Sequence, residues 1–255
     1  MSMNNFITPD WDAPSGVKSL ITTRLGGVSA APYDTFNLGD HVGDNPEFVR
    51  QNRQLLAKSL PGEPLWLKQT HSNNVLWVTT PELLNGNTLA ENLLLPYDAS
   101  FTHQKNKVCV VMSADCIPIL LTDKKASFVA AVHAGWRGVE NGIIARTISC
   151  IGAPGADMLA YIGPAICKNH FEVGQDVFDL FVNLDSNNAN HFTKSGEDKY
   201  YCDLTEIAKF QLMKEGLLSY NIYSSDMCTY CDKEKFFSHR RDEVTGRIAS
   251  LIWLS

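Results

Sequence analysis

Three short apolar runs, residues 107–112 (KVCVVM), 117–121 (IPILL) and 128–132 (FVAAV), follow closely on one another, separated by Ser113-Ala114-Asp115 and by a stretch containing Asp123-Lys124-Lys125. They lack the polar alternation of a half-solvated strand and are short for helices, so each reads as a strand buried on both faces. A sheet of such strands needs a layer on either side. Cys116 and His133 fall at the ends of these strands, where side chains can meet at a sheet edge.

At 255 residues the chain is long enough for a substantial core, and one domain spanning 1–255 is the simplest division. A content of 44% hydrophobic and 20% charged residues is that of an ordinary globular protein. The net charge is −6, and the 22 Lys and Arg residues form no run of four or more, which argues against nucleic acid as a partner. No segment reaches the roughly 18 apolar residues of a membrane span, and MSMNNFITPDWDAP lacks the pattern of a targeting segment, so no membrane association and a cytoplasmic location are expected. The 7 cysteines are odd in number and widely spread, unlike a disulfide framework.

Residues 17–24 read as a strand that Leu25-Gly26-Gly27 breaks. In DNPEFVRQNRQLLAKSL, Asp44 is the expected cap, Pro46 suits the first turn, Glu47 completes a capping box, and Phe48, Leu55 and Leu56 are spaced for a buried face. Short strands are expected at 65–69 and 75–79, around a loop that holds His71, followed by an excursion over 81–96. After His133, VENGIIARTISCI has helical spacing, and a helix start near Gly138 would attract an anion. A strand at 158–162, helices near 174–182 and 204–216, and a strand around Ile222 complete the pattern.

His71, Cys116 and His133 together read as an incomplete tetrahedral metal site, the three-ligand kind that leaves a position for water or substrate. Each has a plainer reading: His71 as a hydrogen-bonded surface imidazole, Cys116 as an inert core thiol, and Gly135 and Gly138 beyond His133 as a tight connection with Trp136 in the core. The same atoms also allow a metal-free site in which Cys116 is the nucleophile and His133 its base. A multicopper oxidase centre requires many imidazoles, and 7 histidines without a His-X-His pair do not furnish four coppers.

The blocks TTRLGGVS, APYDTFNLGDHVGDNPEFVRQNR, KQTH, SADCIPILL, AAVHAGWRG, YIGPAICKNHFEVG and FFSHRRDEVTGRIA resemble, in order and spacing, the YfiH-type family, also named laccase-domain or polyphenol oxidase. The likeness runs over residues 21–253. It implies an α+β fold of layered mixed β-sheets flanked by helices, akin to a cysteine-hydrolase toxin domain. It also implies zinc-dependent purine nucleoside chemistry: phosphorolysis of adenosine, inosine and methylthioadenosine, with adenosine deamination. The family's metal ligands correspond to His71, Cys116 and His133. The chain departs from the family pattern at KQTHS, where a Gly more often follows the His, and at Cys228-Thr229-Tyr230-Cys231. With no second CxxC or His pair nearby, the latter reads as buried or redox-active thiols, not a zinc ribbon.

Phosphorolysis calls for groups that hold phosphate and neutralise charge on the departing purine. Arg24, Arg240 and Arg241, in family-like blocks, are the candidate phosphate holders, each with a structural ion pair as its alternative. For deamination, a water activated at the metal would attack purine C6, and Asp115 is the candidate acid unless it merely caps its turn. Asn37 is a candidate for a ribose hydroxyl or the purine edge, or else a loop-stabilising residue. Zinc is the expected cofactor, and the Cys/His₂ donors would also accept copper. A Cys116-nucleophile amide hydrolase acting on cell-wall precursors, a copper-dependent polyphenol oxidase and a zinc-stabilised binding module are the competing functional readings.

Overall fold

The computed structural model describes residues 5–78 and 96–255. The excursion expected over 81–96 lies, apart from Pro96, outside the described residues. The chain begins with β1 (Phe6–Ile7), β2 (Val17–Thr22), α1 (Pro46–Ala57), β3 (Pro64–Leu65), β4 (Val75–Trp77) and β5 (Ala99–Thr102). The buried runs follow as β6 (Val108–Ser113), β7 (Ile117–Asp123) and β8 (Val129–Ala134). Then come α2 (Trp136–Glu140), α3 (Ile143–Ile151), β9 (Met158–Ile162), β10 (Glu172–Gly174) and α4 (Gln175–Leu184). The chain closes with β11 (Phe192–Lys194), β12 (Lys199–Cys202), α5 (Leu204–Lys214), β13 (Ile222–Ser224), α6 (His239–Asp242) and β14 (Ile248–Leu254).

Two mixed sheets stack. One has the order β1-β2-β14-β6-β3 and the other β13-β9-β7-β8-β5-β4, with β10-β12-β11 forming a small third sheet. Alternation along the strands sorts the core into three seams. Val108, Val110 and Met112 of β6 face α1, joining Leu56 and Phe36. Cys109 and Val111 face the other way, into the space between the sheets, where they meet Leu120, Val129, Ala131 and Ile252. Ile117, Ile119 and Leu121 of β7 point outward beneath α3, α4 and α5, against Ile144, Phe181 and Ile207. The layers therefore run helix, sheet, sheet, helix. This explains why β6, β7 and β8 are buried on both faces although their sheet neighbours are largely antiparallel. Each fully buried Leu, Ile or Phe contributes about 1.5–3 kcal/mol.

Several local expectations are corrected. Asn45, not Asp44, caps α1, accepting from the Glu47 N–H at 2.9 Å, because the Asp44 carboxylate is engaged by Ser29 Oγ and Asn37 Nδ2. The buried face of α1 is Val49, Asn52 and Leu56, while Phe48 and Leu55 are only half-buried. The helix expected across VENGIIARTISCI is two helices, because Gly142 adopts φ 79° between them. The strand expected at 65–69 is confined to Pro64–Leu65. The terminal strand β14, central to its sheet, and the β10–β12 sheet were not anticipated.

This topology positions the candidate site. The connection from β3 to β4 and the connection from β6 to β7 each pass from one sheet to the other. His71 lies on the first crossover and Cys116 ends the second. His133, one residue from the end of β8 and paired with Pro118 of β7, lies on the face turned toward the facing sheet, in alternation with Val129 and Ala131.

Candidate metal centre

The donor atoms of His71, Cys116 and His133 all lie within 4.8 Å of one another. His71 Nε2 is 3.6 Å from Cys116 Sγ, and the two imidazoles meet edge to face with centroids 4.9 Å apart. The three residues selected from the sequence are thus brought together from separate segments. A tetrahedral zinc with bonds of about 2.0–2.3 Å separates its N and S donors by about 3.5 Å, and the His71–Cys116 pair at 3.6 Å fits that spacing.

A glycine makes this approach possible. A methyl group at Gly135 would lie 2.5 Å from His71 Cδ2 and 2.9 Å from Cys116 Sγ, closer than packed carbon atoms tolerate. His71 itself takes φ 61°, in the sparsely populated left-handed region. Its backbone is held there by Asp98, whose carboxylate accepts from three successive backbone N–H groups: Thr70 at 3.2 Å, His71 at 3.0 Å and Ser72 at 2.6 Å. Ser72 Oγ adds a fourth hydrogen bond at 2.7 Å.

Asp98 also accepts from His133 Nδ1 at 2.8 Å, and it is fully buried. One carboxylate therefore fixes two of the three donors: it sets the loop of His71 and directs His133 Nε2 away from itself, toward the cluster. Such a carboxylate behind an imidazole ligand fixes tautomer and ring orientation. Burial opposes the charge on Asp98, but His133, Ser72 and the loop N–H groups prevail and hold it below the usual carboxylate value. Sequence reasoning missed this residue. Lying just before β5 in PYDAS, it has the look of an ordinary turn residue.

Burial pushes the Cys116 thiol up, yet the charge and hydrogen bonds of His133 and then His71 outweigh it and bring the group down to about 6. His133 shows the counterpart. Burial pulls it down, and Cys116 together with Asp98 raises it to about 9. Each group thus favours the charged form of the other, Cys116 the imidazolium and His133 the thiolate, with Asp98 behind the imidazole.

The remaining sequence candidates are largely engaged within the protein. Asp115, at φ 92°, accepts from Thr229 Oγ1 and from the Arg240 backbone N–H, both at 2.7 Å, so each carboxylate oxygen already has a partner. Asn37 is fully buried, with its amide bonded to Gly39, Asp44 and the Arg247 N–H. Arg24 bonds Asp34 and the Lys233 carbonyl and lies over Phe237. All the donors of Arg241 are used, on Thr229, Tyr230, Phe236 and Asp242. Arg240 donates to the His170 and Glu172 carbonyls from an exposed position. At Asn37 and Arg241 these contacts match the structural alternatives, loop stabilisation and an ion pair, that stood beside the ligand-binding expectation. Arg247 was overlooked, although its block was noted. Burial pulls its guanidinium below the usual arginine value while the charges of Cys116 and Asp115 act against that, and its Nη1 donates to the Thr245 and Gly246 carbonyls.

A layered α+β protein whose half-buried His/Cys/His cluster is backed by a carboxylate and has no fourth protein donor among the described residues presents the donor set that an open metal centre uses. Comparison with known proteins makes this specific. The family model described as multi-copper polyphenol oxidoreductase laccase matches residues 18–255, and the chain belongs to this family. It is 42% identical over 254 residues to the Escherichia coli protein named purine nucleoside phosphorylase YfiH, covering 99% of this chain and all of that one. A Haemophilus influenzae protein named purine nucleoside phosphorylase is 44% identical, with 97% of this chain and 98% of that chain covered. Among solved structures, a Neisseria meningitidis protein superimposes with a TM-score of 0.89 at 44% identity, covering 98% and 99% of the two chains. Bacillus licheniformis YfiH does so with 0.87 at 32% identity, covering 94% and 93%. No helix among the described residues is long and apolar enough to cross a membrane.

Proposed function

We propose that the protein is a zinc-dependent purine nucleoside phosphorylase acting on adenosine, inosine and methylthioadenosine, and that it also deaminates adenosine. The observation that carries this reading is the three-donor cluster of His71, Cys116 and His133 with Asp98 behind it. Near full-length similarity to relatives named purine nucleoside phosphorylase supports the same chemistry.

His71 Nε2, Cys116 Sγ and His133 Nε2 would hold the metal. When bound, it supplies Lewis acidity at the fourth position. Asp98 keeps the proton of a neutral His133 on Nδ1, leaving Nε2 as a donor. It also keeps His71 in place through the loop N–H groups. Arg247, whose charge is favoured by Cys116 and Asp115, would supply positive charge suited to phosphate or to charge that builds as the glycosidic bond loosens. Asp115, bracketed by Thr229 and Arg240, positions the turn that presents Cys116, and serves as a proton shuttle only if released from that bracket. A cleft of about 320 Å³ is lined in part by Trp66, Lys68, Gln69 and Thr70, the residues that precede His71 in the chain.

The test is phosphate-dependent release of adenine or hypoxanthine by zinc-loaded protein, run beside Cys116→Ala and a control without phosphate. Release that requires both phosphate and Cys116 supports the reading. No release and no ammonia from any of the three nucleosides, with metal content verified, overturns it.

The thiolate and imidazolium of Cys116 and His133, oriented by Asp98, favour a second reading: an amide hydrolase with Cys116 as nucleophile, acting on cell-wall precursors. It requires a covalent adduct on Cys116 and activity that survives metal removal. A copper-dependent polyphenol oxidase has less support. The two donor clusters found among the described residues hold three histidines between them. Copper captured by the same donors during preparation would itself give oxidase activity, so the metal present is to be measured alongside any turnover.

A further inference from the structure

The Cys228-Thr229-Tyr230-Cys231 turn has a second half that lies far away in sequence. β9 and β13 pair in parallel, with Ser224 opposite Ile162. The chains that leave them stay paired: Ser225 N–H donates to the Ile162 carbonyl at 2.9 Å and Thr229 N–H to the Ala165 carbonyl at 3.1 Å. Cys167 and His170, a C-x₂-H pair, are thereby carried onto the C-x₂-C turn. The donor atoms of Cys167, His170, Cys228 and Cys231 all lie within 4.8 Å of one another.

The spacing suits a metal more closely than a sulfur bridge. Cys167 Sγ is 3.2 Å from His170 Nδ1, Cys231 Sγ is 3.5 Å from the same nitrogen, and the two sulfurs are 4.0 Å apart. A tetrahedral zinc bound by thiolates and an imidazole places its donors about 3.5–3.8 Å apart, whereas a disulfide requires about 2.05 Å. Cys228 Sγ accepts the Cys167 N–H at 3.2 Å and the Cys231 N–H at 3.5 Å, bonds that favour a thiolate there. The His170 ring stacks on Tyr230 with centroids 4.1 Å apart, which fixes the plane of the imidazole.

We propose that Cys167, His170, Cys228 and Cys231 form a second metal site, a closed Cys₃His zinc site that pins the loop after β9 to the turn after β13. Its position gives it a task. Thr229, inside the turn, donates to the Asp115 carboxylate, and Ile166, next to Cys167, donates its N–H to the Asp115 carbonyl at 3.0 Å. Arg240 and Arg241 tie α6 to His170, Thr229 and Tyr230. The zinc thus braces the shell that presents Cys116, with all four positions filled by protein and none left for substrate.

The experiment is elemental analysis of full-length protein expressed with zinc, as wild type, Cys116→Ala and Cys231→Ser. Expected are about two zinc ions per wild-type chain and about one in either variant, since each variant opens a different site. Retention of about one zinc by Cys116→Ala, lost when Cys231→Ser is added, establishes the second site even if nucleoside turnover is never found. Should Cys231→Ser fail to fold, cobalt(II) added to folded Cys116→Ala protein decides. An intense thiolate-to-cobalt absorption can then arise only away from Cys116. Absence of that absorption, unchanged zinc content in Cys231→Ser, or a Cys167–Cys231 disulfide in a peptide map would overturn the proposal.

Discussion

The two cysteine–histidine clusters are built from the same donors to opposite ends. His71, Cys116 and His133 come from the crossovers and a strand end between two sheets, number three, and lean on a buried carboxylate. Cys167, His170, Cys228 and Cys231 come from two short turns at the surface, number four, and are supported by backbone N–H groups on sulfur. The contrast shows that donor chemistry alone does not set a site's role. An imidazole oriented by a carboxylate, with one position left over, is arranged to act on something, whereas paired chelating turns that fill every position are arranged to hold the chain.

Cys116→Ala gives the largest effect. Turnover should fall to background while the fold persists, and residual turnover near the wild-type rate would erase the distinction between the clusters. Asp98→Asn should follow, weakening metal binding by about 10- to 100-fold in a chelator competition. The same variant should lose about 3 kcal/mol in denaturant unfolding, because it leaves His133 without its charged partner. Gly135→Ala should cost about 1–3 kcal/mol through the methyl group forced against His71 and Cys116, with zinc content at the first cluster falling and that at the second unchanged.

The pH dependence of metal-stripped protein sharpens the electrostatic side. A thiolate, not a thiol, is alkylated, so the iodoacetamide rate at Cys116 should be low below about 6 and level off above it. His133→Gln removes the opposing charge and should move the midpoint up toward the ordinary thiol value of about 8.5. A midpoint that stays put would mean His133 does not set the charge on Cys116. Thr229→Val should have the smallest effect on turnover, with about 1.5–3 kcal/mol lost in stability, since it removes one donor from the buried Asp115 carboxylate. A larger change in turnover than in stability would show that the four-donor cluster communicates with the three-donor one.

Much of this was legible in the residues. The apolar runs around Cys116 and His133 disclosed the doubly covered strands, and the three donors that the fold brings together stood out by type and position. Asp98 did not, because its partners are backbone N–H groups and an imidazole 26–35 residues away, and no side-chain pattern announces them. The zinc ribbon was set aside for want of a second pair near Cys228. That pair, Cys167 and His170, lies about sixty residues upstream and is delivered by parallel strand pairing, which local spacing cannot reveal. Strand β14 escaped because IASLIWL has few turn signals around it and takes its meaning from β2 and β6.

The two crossovers have a consequence for assembly. His71 and Cys116 are 45 residues apart, each on a crossover that leads into a strand of the six-stranded sheet, β4 and β7, and His133 lies in β8 of that same sheet. A metal held there would report that β4, β7 and β8 have assembled into one sheet, so its capture would follow long-range strand pairing and would not aid early collapse.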